Sequence, residues 1–314
     1  MNSLLTLAPE VRSALEAGQP VVALESTLIA HGMPYPQNLE MAGRLSAAVR
    51  QEAAVPAIVA VGRGRILIGL NEADLQRIAE ARDVAKISSR EIAPFLASGR
   101  MGATTVASTM ACAHLAGIRV FATGGIGGVH RGAESTFDIS ADLDEFARTP
   151  MAVISAGAKA ILDLPKTLEY LETKGVPVLG YGTNTFPAFF CRSSGLPLQL
   201  RCDTPDEVAS VLLMQDRLGF GMGTLIANPI PEEHALPEQE IEAAIAHALS
   251  AAESQGITGK EVTPYLLARL VKLTKGRSLA ANMALAEHNA KVAAQIAAAY
   301  ARQRVQAAAS KQHP

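Results

Sequence analysis

The sequence predicts an α/β protein: a mostly parallel sheet flanked by helices, with a helical C-terminal region. Three observations carry this reading. Short runs rich in Val and Ile alternate with amphipathic helical patterns, the chain from about residue 232 onward is Ala-rich and helical, and polar and glycine-rich residues gather where the strands end. No long Ser/Gly linker and no internal repeat interrupts the pattern, so residues 1–314 read as a single domain.

Residues 1–18, "MNSLLTLAPEVRSALEAG", lack a basic segment followed by a long apolar one and read as a surface helix rather than a secretion signal. Strands are expected at 21–27 ("VVALEST"), 57–70 ("AIVAVGRGRILIGL", a hairpin about Gly62 and Gly64), 84–88 ("VAKIS") and 119–125 ("RVFATGG"). Three more are expected at 151–157 ("MAVISAG"), 176–182 ("VPVLGYG") and 221–228 ("GMGTLIAN"). Asn71 reads as the N-cap of a helix over "NEADLQRIAEAR", and Ser140 opens "SADLDEFART" with acids in its first turn. A Thr-Pro entry starts "TPDEVASVLLMQDRLG", which ends at Gly219. Residues 101–118 contain no Asp, Glu, Lys or Arg, but their Thr, Ser, Gly and His make a buried helix the better reading than a membrane span. The last residues, "SKQHP", are expected to fray.

Composition excludes several functions. The chain is 49% hydrophobic, enough to bury a large core, and its net charge of −2 leaves no basic face for nucleic acid. Aromatic residues make up 4% and Trp is absent, so base-stacking platforms are not expected. Three cysteines, Cys112, Cys191 and Cys202, without metal-like spacing read as reduced thiols of a cytoplasmic protein.

In parallel sheets ligands bind at the carboxyl ends of the strands. Glu25 ends the first strand, Lys86 lies in the third, "TGGIGGVHRGAESTFDIS" follows the fourth and "AGAK" the fifth. Lys159 is expected in the first turn of a helix, where the dipole and apolar neighbours both disfavour an ammonium and favour a nucleophilic amine. A lysine snorkelling to solvent fits the same pattern. Glu25, emerging from a buried strand, suits a general acid; a strand-end carboxylate capping the next turn is the alternative. The glycines of 123–132 allow close approach to an anion, with His130 and Arg131 beside them, although neither the P-loop nor the dinucleotide spelling is present. Asp138, ahead of the helix that holds Asp142 and Asp144, is the better candidate for Mg²⁺ or Mn²⁺. Asn282 is a mediocre residue for its Ala-rich helix and reads as facing a site or marking a kink. The segment 181–195, with Pro187 and exposed aromatics, reads as a cover over a ligand.

Together, "ALESTLIAHGMPYPQN", "KISSRE", "GATTVASTM", "TGGIGGVHRGAESTFDISADL", "ISAGAKAILDLPKTLEYLET", "GYGTNTFPAFFCRSSG" and "SLAANMAL" resemble the pseudouridine-5′-phosphate glycosidase family, also called indigoidine synthase A-like. The resemblance covers most of residues 20–290. It implies reversible hydrolytic cleavage of the C–C glycosidic bond of pseudouridine 5′-phosphate to uracil and ribose 5-phosphate. It implies Lys159 as the nucleophile at C1′, Glu25 as the proton donor and Asp138 as ligand to one Mn²⁺ per subunit. Lys86, Val106, Ser140, Ala141 and Asp142 match substrate-binding positions, and Thr123, His130 and Asn282 fit the phosphate and ribose pocket. A homotrimer acting on a small phosphorylated nucleoside follows from the same resemblance; a cytoplasmic location without nucleic acid or membrane partners follows from the composition above. A Schiff-base sugar-phosphate aldolase and a non-enzymatic nucleotide-binding protein are the competing readings.

Overall fold

A computed structural model describes residues 3–81, 83–257 and 262–310. The strands are β1 (Leu5–Leu7), β2 (Val21–Glu25), β3 (Val55–Gly62), β4 (Arg65–Ile68), β5 (Ala85–Ile87), β6 (Gly102–Thr104) and β7 (Val120–Ala122). They continue with β8 (Val129–His130), β9 (Ala152–Ser155), β10 (Leu162–Asp163), β11 (Val178–Tyr181), β12 (Leu200–Cys202) and β13 (Thr224–Ala227). An eleven-stranded sheet runs in the order β1-β4-β3-β2-β7-β9-β13-β11-β12, with β6 also paired to β3 and carrying β5; β8 and β10 form a separate ribbon. From β3 through β2, β7, β9, β13 and β11 to β12 every pairing is parallel. Antiparallel pairs occur where β3 meets β4 and β6.

The helices are α1 (Pro9–Glu16), α2 (Thr27–His31), α3 (Gln37–Gln51), α4 (Glu72–Glu80), α5 (Ile92–Ser98), α6 (Val106–Leu115) and α7 (Ala133–Thr136). After these come α8 (Ala141–Phe146), α9 (Leu164–Thr173), α10 (Pro205–Leu218), α11 (Glu238–Ser254), α12 (Val262–Leu273) and α13 (Arg277–Ser310). Their ends follow the sequence. Asn71 caps α4 by accepting the Asp74 amide, Thr204 and Glu207 form a capping box on α10, and Gly219 closes α10 in the left-handed conformation. Arg63 and Gly64, both at positive φ, make the turn between β3 and β4, as a tight hairpin requires. Among the described residues no helix is long and apolar enough to cross a membrane.

β2 is buried along its whole length, as expected of a central parallel strand covered on both faces. One cover is α13, whose 34 residues span about 51 Å at 1.5 Å per residue. It packs on α3, α10 and the β2-β7-β9 part of the sheet. This contact holds α13 beside the carboxyl ends of the strands that form the site.

Four expectations need correction. The N-terminal segment is not one helix: the alternating Leu5-Thr6-Leu7 buries its two leucines in β1 beside β4, and the helix waits for Pro9. Residues 101–118 begin with the short strand β6 before the expected buried helix α6. Phe186, Phe189 and Phe190 of the 181–195 segment are buried rather than exposed. The segment folds back on itself through Phe186 N to Leu196 O and docks through Phe189 N to Ala156 O. Lys159 is not in a helix, for reasons given below. Of the end expected to fray, Ser310 closes α13 and residues 311–314 lie outside the described residues.

Candidate active site

Four adjacent parallel strands deliver the site. β2 ends in Glu25, β7 is followed by Thr123, β9 by the segment 156–161, and β13 by Asn228. Lys159 sits in the connection between β9 and β10, five residues before α9 starts at Leu164. Gly157, at φ +81°, turns the chain out of the strand. Lys159 N then donates to Ile126 O at 3.1 Å, Ala158 bridges Ile126, and Leu162 pairs with His130. Pairing with the glycine-rich segment thus outweighs the helix propensity of "AGAKAIL". Lys159 therefore feels no helix dipole, contrary to expectation; it stands between apolar neighbours and the cavity.

A cavity at these strand ends has a volume of about 320 Å³. Of the residues singled out from sequence, Glu25, Lys86, Val106, His130, Asp138, Ser140, Ala141, Asp142 and Lys159 all line it. Thr123 and Asn282 line a second, smaller cavity of about 50 Å³ instead. Glu25, Lys86 and Lys159 border both, so the carboxyl and the amine stand where the two spaces meet.

Glu25 is 7% exposed. Burial pushes its carboxyl above the usual range; the Lys159 charge and a hydrogen bond from the Thr123 hydroxyl oppose that, Asp142 adds to it and Lys86 opposes it. Such a group holds its proton to higher pH than an exposed glutamate. Burial holds the His130 imidazole below its ordinary value, against the pull of Asp138, whose Oδ2 lies 3.8 Å from Nδ1.

Asp142 is committed to the fold as well as to the cavity. Its two oxygens accept the amides of Ala107 (2.9 Å) and Gly127 (2.8 Å), tying the first turn of α6 to the glycine-rich segment. Ser140 caps α8 by accepting the Asp142 amide. The glycines serve close packing: a Cβ on Gly125 would stand 2.6 Å from the Phe189 ring, and one on Gly128 2.4 Å from Thr167 Oγ1. Arg131 turns away from the cavity and faces Glu242 of α11 at 3.5 Å. Asn282 is buried in α13 with its Oδ1 lacking a hydrogen-bond partner in the structure, and it borders the smaller cavity.

Thr27 of the first strand's polar end and Ser88, one of the two serines after Lys86, also line this cavity, and so do Arg90 and Thr105, which sequence reasoning missed. Ser88 and Arg90 belong to the same "KISSRE" stretch as Lys86, and Ser88 caps a 3-10 turn with Glu91. That cap was the available signal. The cavity therefore carries Lys86 and Arg90 near Thr105 and Val106 at the N-terminus of the ten-residue helix α6, an arrangement suited to an anion.

Known proteins share the sequence and fold of this chain. The family described as indigoidine synthase A like protein matches residues 10–299. The chain belongs to the indigoidine synthase A-like family. It is an enzyme of this family. A protein named pseudouridine-5′-phosphate glycosidase from Methylobacterium nodulans is 61% identical over 95% of this chain and 88% of its own length. Its namesake from Paracoccus denitrificans is 57% identical over 96% of this chain and its whole length. Among solved structures, a prealnumycin C-glycosynthase in complex with ribulose 5-phosphate superposes with a TM-score of 0.91 at 40% identity, covering 98% of this chain and 100% of its own. An indigoidine synthase A-like protein from Thermotoga maritima gives 0.87 at 35% identity over 95% of this chain and 97% of its own.

Proposed function

We propose that this member of the indigoidine synthase A-like family cleaves the C–C glycosidic bond of pseudouridine 5′-phosphate reversibly, with water, to uracil and ribose 5-phosphate. The observation that carries the reading is the shared position of Glu25 and Lys159 between an anion-suited cavity and a smaller one. The relatives' names and the sugar phosphate in the C-glycosynthase complex support it.

Ordinary glycosidases expel an oxygen leaving group between two carboxylates. Here the base leaves as carbon, so an electron source at C1′ is needed. On this reading Lys159 Nζ attacks C1′, the C1′–O4′ bond breaks, and protonated Glu25 gives O4′ its proton. Glu25 recovers a proton from the new ammonium and passes it to C5 of the uracil ring. The nitrogen lone pair then forms the C1′=N bond as the C1′–C5 bond breaks. Water hydrolyses the imine, freeing Lys159 and the open-chain sugar phosphate. Lys86, Arg90 and the start of α6 take the phosphate.

We include Mn²⁺ in the proposal. Among the described residues no three His, Cys, Asp or Glu side chains converge as a metal cage. Asp138, 44% exposed at its side chain with His130 alongside, fits a hard cation that keeps most of its waters. Asp138 would hold the ion, which supplies positive charge for placing an anionic substrate. A homotrimer is proposed on family resemblance alone, and a cytoplasmic location on the three free cysteines.

Uracil release from pseudouridine 5′-phosphate with Mn²⁺, and bond formation from uracil plus ribose 5-phosphate, test the reading. Turnover in either direction is expected. Failure in both directions with freshly loaded metal, or aldol cleavage of ribose 5-phosphate instead, would overturn it.

A further inference from the structure

Behind Glu25 lies a chain of buried polar side chains that no step above uses. Asn289 of α13 is fully buried. Its Nδ2 donates to the carbonyls of Thr123 at 2.8 Å and Gly124 at 3.3 Å. Its Oδ1 accepts Asn228 Nδ2 at 2.8 Å. Carbonyls only accept, and the Asn228 amide group needs an acceptor, so the network itself dictates this orientation of the Asn289 amide. Asn228 follows β13, and its backbone amide donates to Ser155 O of β9 at 2.8 Å. Thr123 follows β7 and its hydroxyl donates to Glu25 Oε1 at the end of β2. The ends of four strands are thus tied to one helix.

The Thr123–Gly124 peptide lies just past β7, where ladder bonds run out. Thr123 N still reaches Ile154 O, and Gly124 O accepts the Ala156 amide. Asn289 supplies the only side-chain bonds to these two carbonyls among the described residues. Thr is β-branched and stiff at χ1, so the direction of its hydroxyl follows the direction of its backbone. A small rotation of that peptide would swing the hydroxyl off the carboxylate.

We propose that Asn289, itself oriented by Asn228, is a positioning residue for the reaction: it fixes the Thr123–Gly124 peptide and thereby aims the Thr123 hydroxyl at Glu25. The inference rests on Glu25 being the proton donor of the glycosidase reading.

The test uses full-length protein, with the Glu25 carboxyl followed by carbon-13 NMR through a pH titration. The charged groups that face Glu25 are Lys159, Asp142 and Lys86. All three stay in place in the variants. Thr123→Val, which deletes the hydroxyl, sets the reference. Because that hydroxyl stabilises the ionised carboxylate, its loss moves the midpoint upward. Asn289→Leu and Asn228→Ala are each expected to move the midpoint in the same direction, by about half to one pH unit, as for loss of a bond to a charged group. In Asn228→Ala/Thr123→Val the shift should equal that of Thr123→Val alone. In turnover at a pH where Glu25 is protonated in wild type and variants alike, loss of its aim should lower kcat about tenfold while KM stays within about twofold. Asn228→Ala keeps the test decisive if Asn289→Leu does not fold, because leaving one buried acceptor unpaired costs about 1–3 kcal/mol, well within ordinary stability. A wild-type midpoint in folded Asn228→Ala, or additive shifts in the double variant, would overturn the proposal. Absence of uracil release by wild type would instead remove the glycosidase reading, and the titration would still judge the positioning.

Discussion

Asp142 Oδ2 accepts the Gly127 amide at 2.8 Å, and no room is left between the two residues for a side chain at 127. A Cβ there would lie 2.7 Å from Asp142 Oδ2 and 2.2 Å from Ser140 Oγ. Gly127→Ala should therefore push Ser140 off the start of α8 and lower stability by about 1–3 kcal/mol, as overpacking does. Asp142→Asn should cost a similar amount, about 1–3 kcal/mol, because one of the Ala107 and Gly127 amides loses its acceptor. Chemical denaturation of both variants checks this, and unchanged midpoints would show that the clamp contributes nothing.

Glu25 makes stability and activity depend on pH in a linked way. Burial raises its folded value above that of a glutamate in the unfolded chain, so between the two values the folded state binds more protons than the unfolded one. Stability contributed by Glu25 is then lost as pH rises from the unfolded value through the folded one. Glu25→Gln, which cannot ionise, should match wild type at low pH and grow progressively more stable than it as pH increases. Its activity should be absent. In wild type, kcat/KM should fall as pH passes the raised value and the donor loses its proton. Calorimetry across pH and initial rates across the same range measure the two effects.

Gly157→Ala should disable Lys159 without touching it. Gly157 is at φ +81°, and a Cβ would lie 2.3 Å from Pro187 O. The left-handed conformation alone costs a non-glycine residue about 1 kcal/mol or more. Either the 156–161 segment or the 181–195 segment must shift. Turnover should fall by at least about tenfold, the equivalent of about 1.4 kcal/mol, with the fold retained by circular dichroism. Full activity would show that the segment tolerates the change.

Cys112 is fully buried, and burial with the nearby Glu145 charge pushes its thiol up to about 12; burial likewise lifts Cys191 to about 11. Neither should react with maleimide at pH 8 until the chain unfolds. Rapid labelling of the native protein, followed by peptide mass spectrometry, would contradict this.

Much of the molecule was legible in the sequence because it depends on local chemistry. The caps at Asn71, Ser140 and Thr204, the stop at Gly219 and the hairpin expected about Gly62 and Gly64, whose turn falls at Arg63–Gly64, are set by a few adjacent residues. The order of polar strand ends was legible too, because a parallel sheet exposes them on one edge. What escaped is non-local. "AGAKAIL" has helical propensity, but pairing with residues 126–130 holds it in bends and a turn instead of a helix. Short strands such as β1 and β6 carry too few residues to show a period. The phenylalanines of 181–195 sit in a polar, Pro-containing stretch and are buried only because the segment folds under itself. Asn228 and Asn289 are 61 residues apart, and no pattern in the chain announces that they meet.

The proposed glycosidase reaction passes through a covalent bond between Lys159 and C1′. The direct measurement is to mix the protein with pseudouridine 5′-phosphate, reduce with borohydride during turnover, and map the modified peptide by mass spectrometry, with Lys159→Ala alongside. A reduced ribose 5-phosphate adduct is expected on Lys159 and none on the variant, with loss of uracil release in the folded variant. Uracil release by Lys159→Ala at the wild-type rate, or trapping on another lysine, would contradict the proposed reaction.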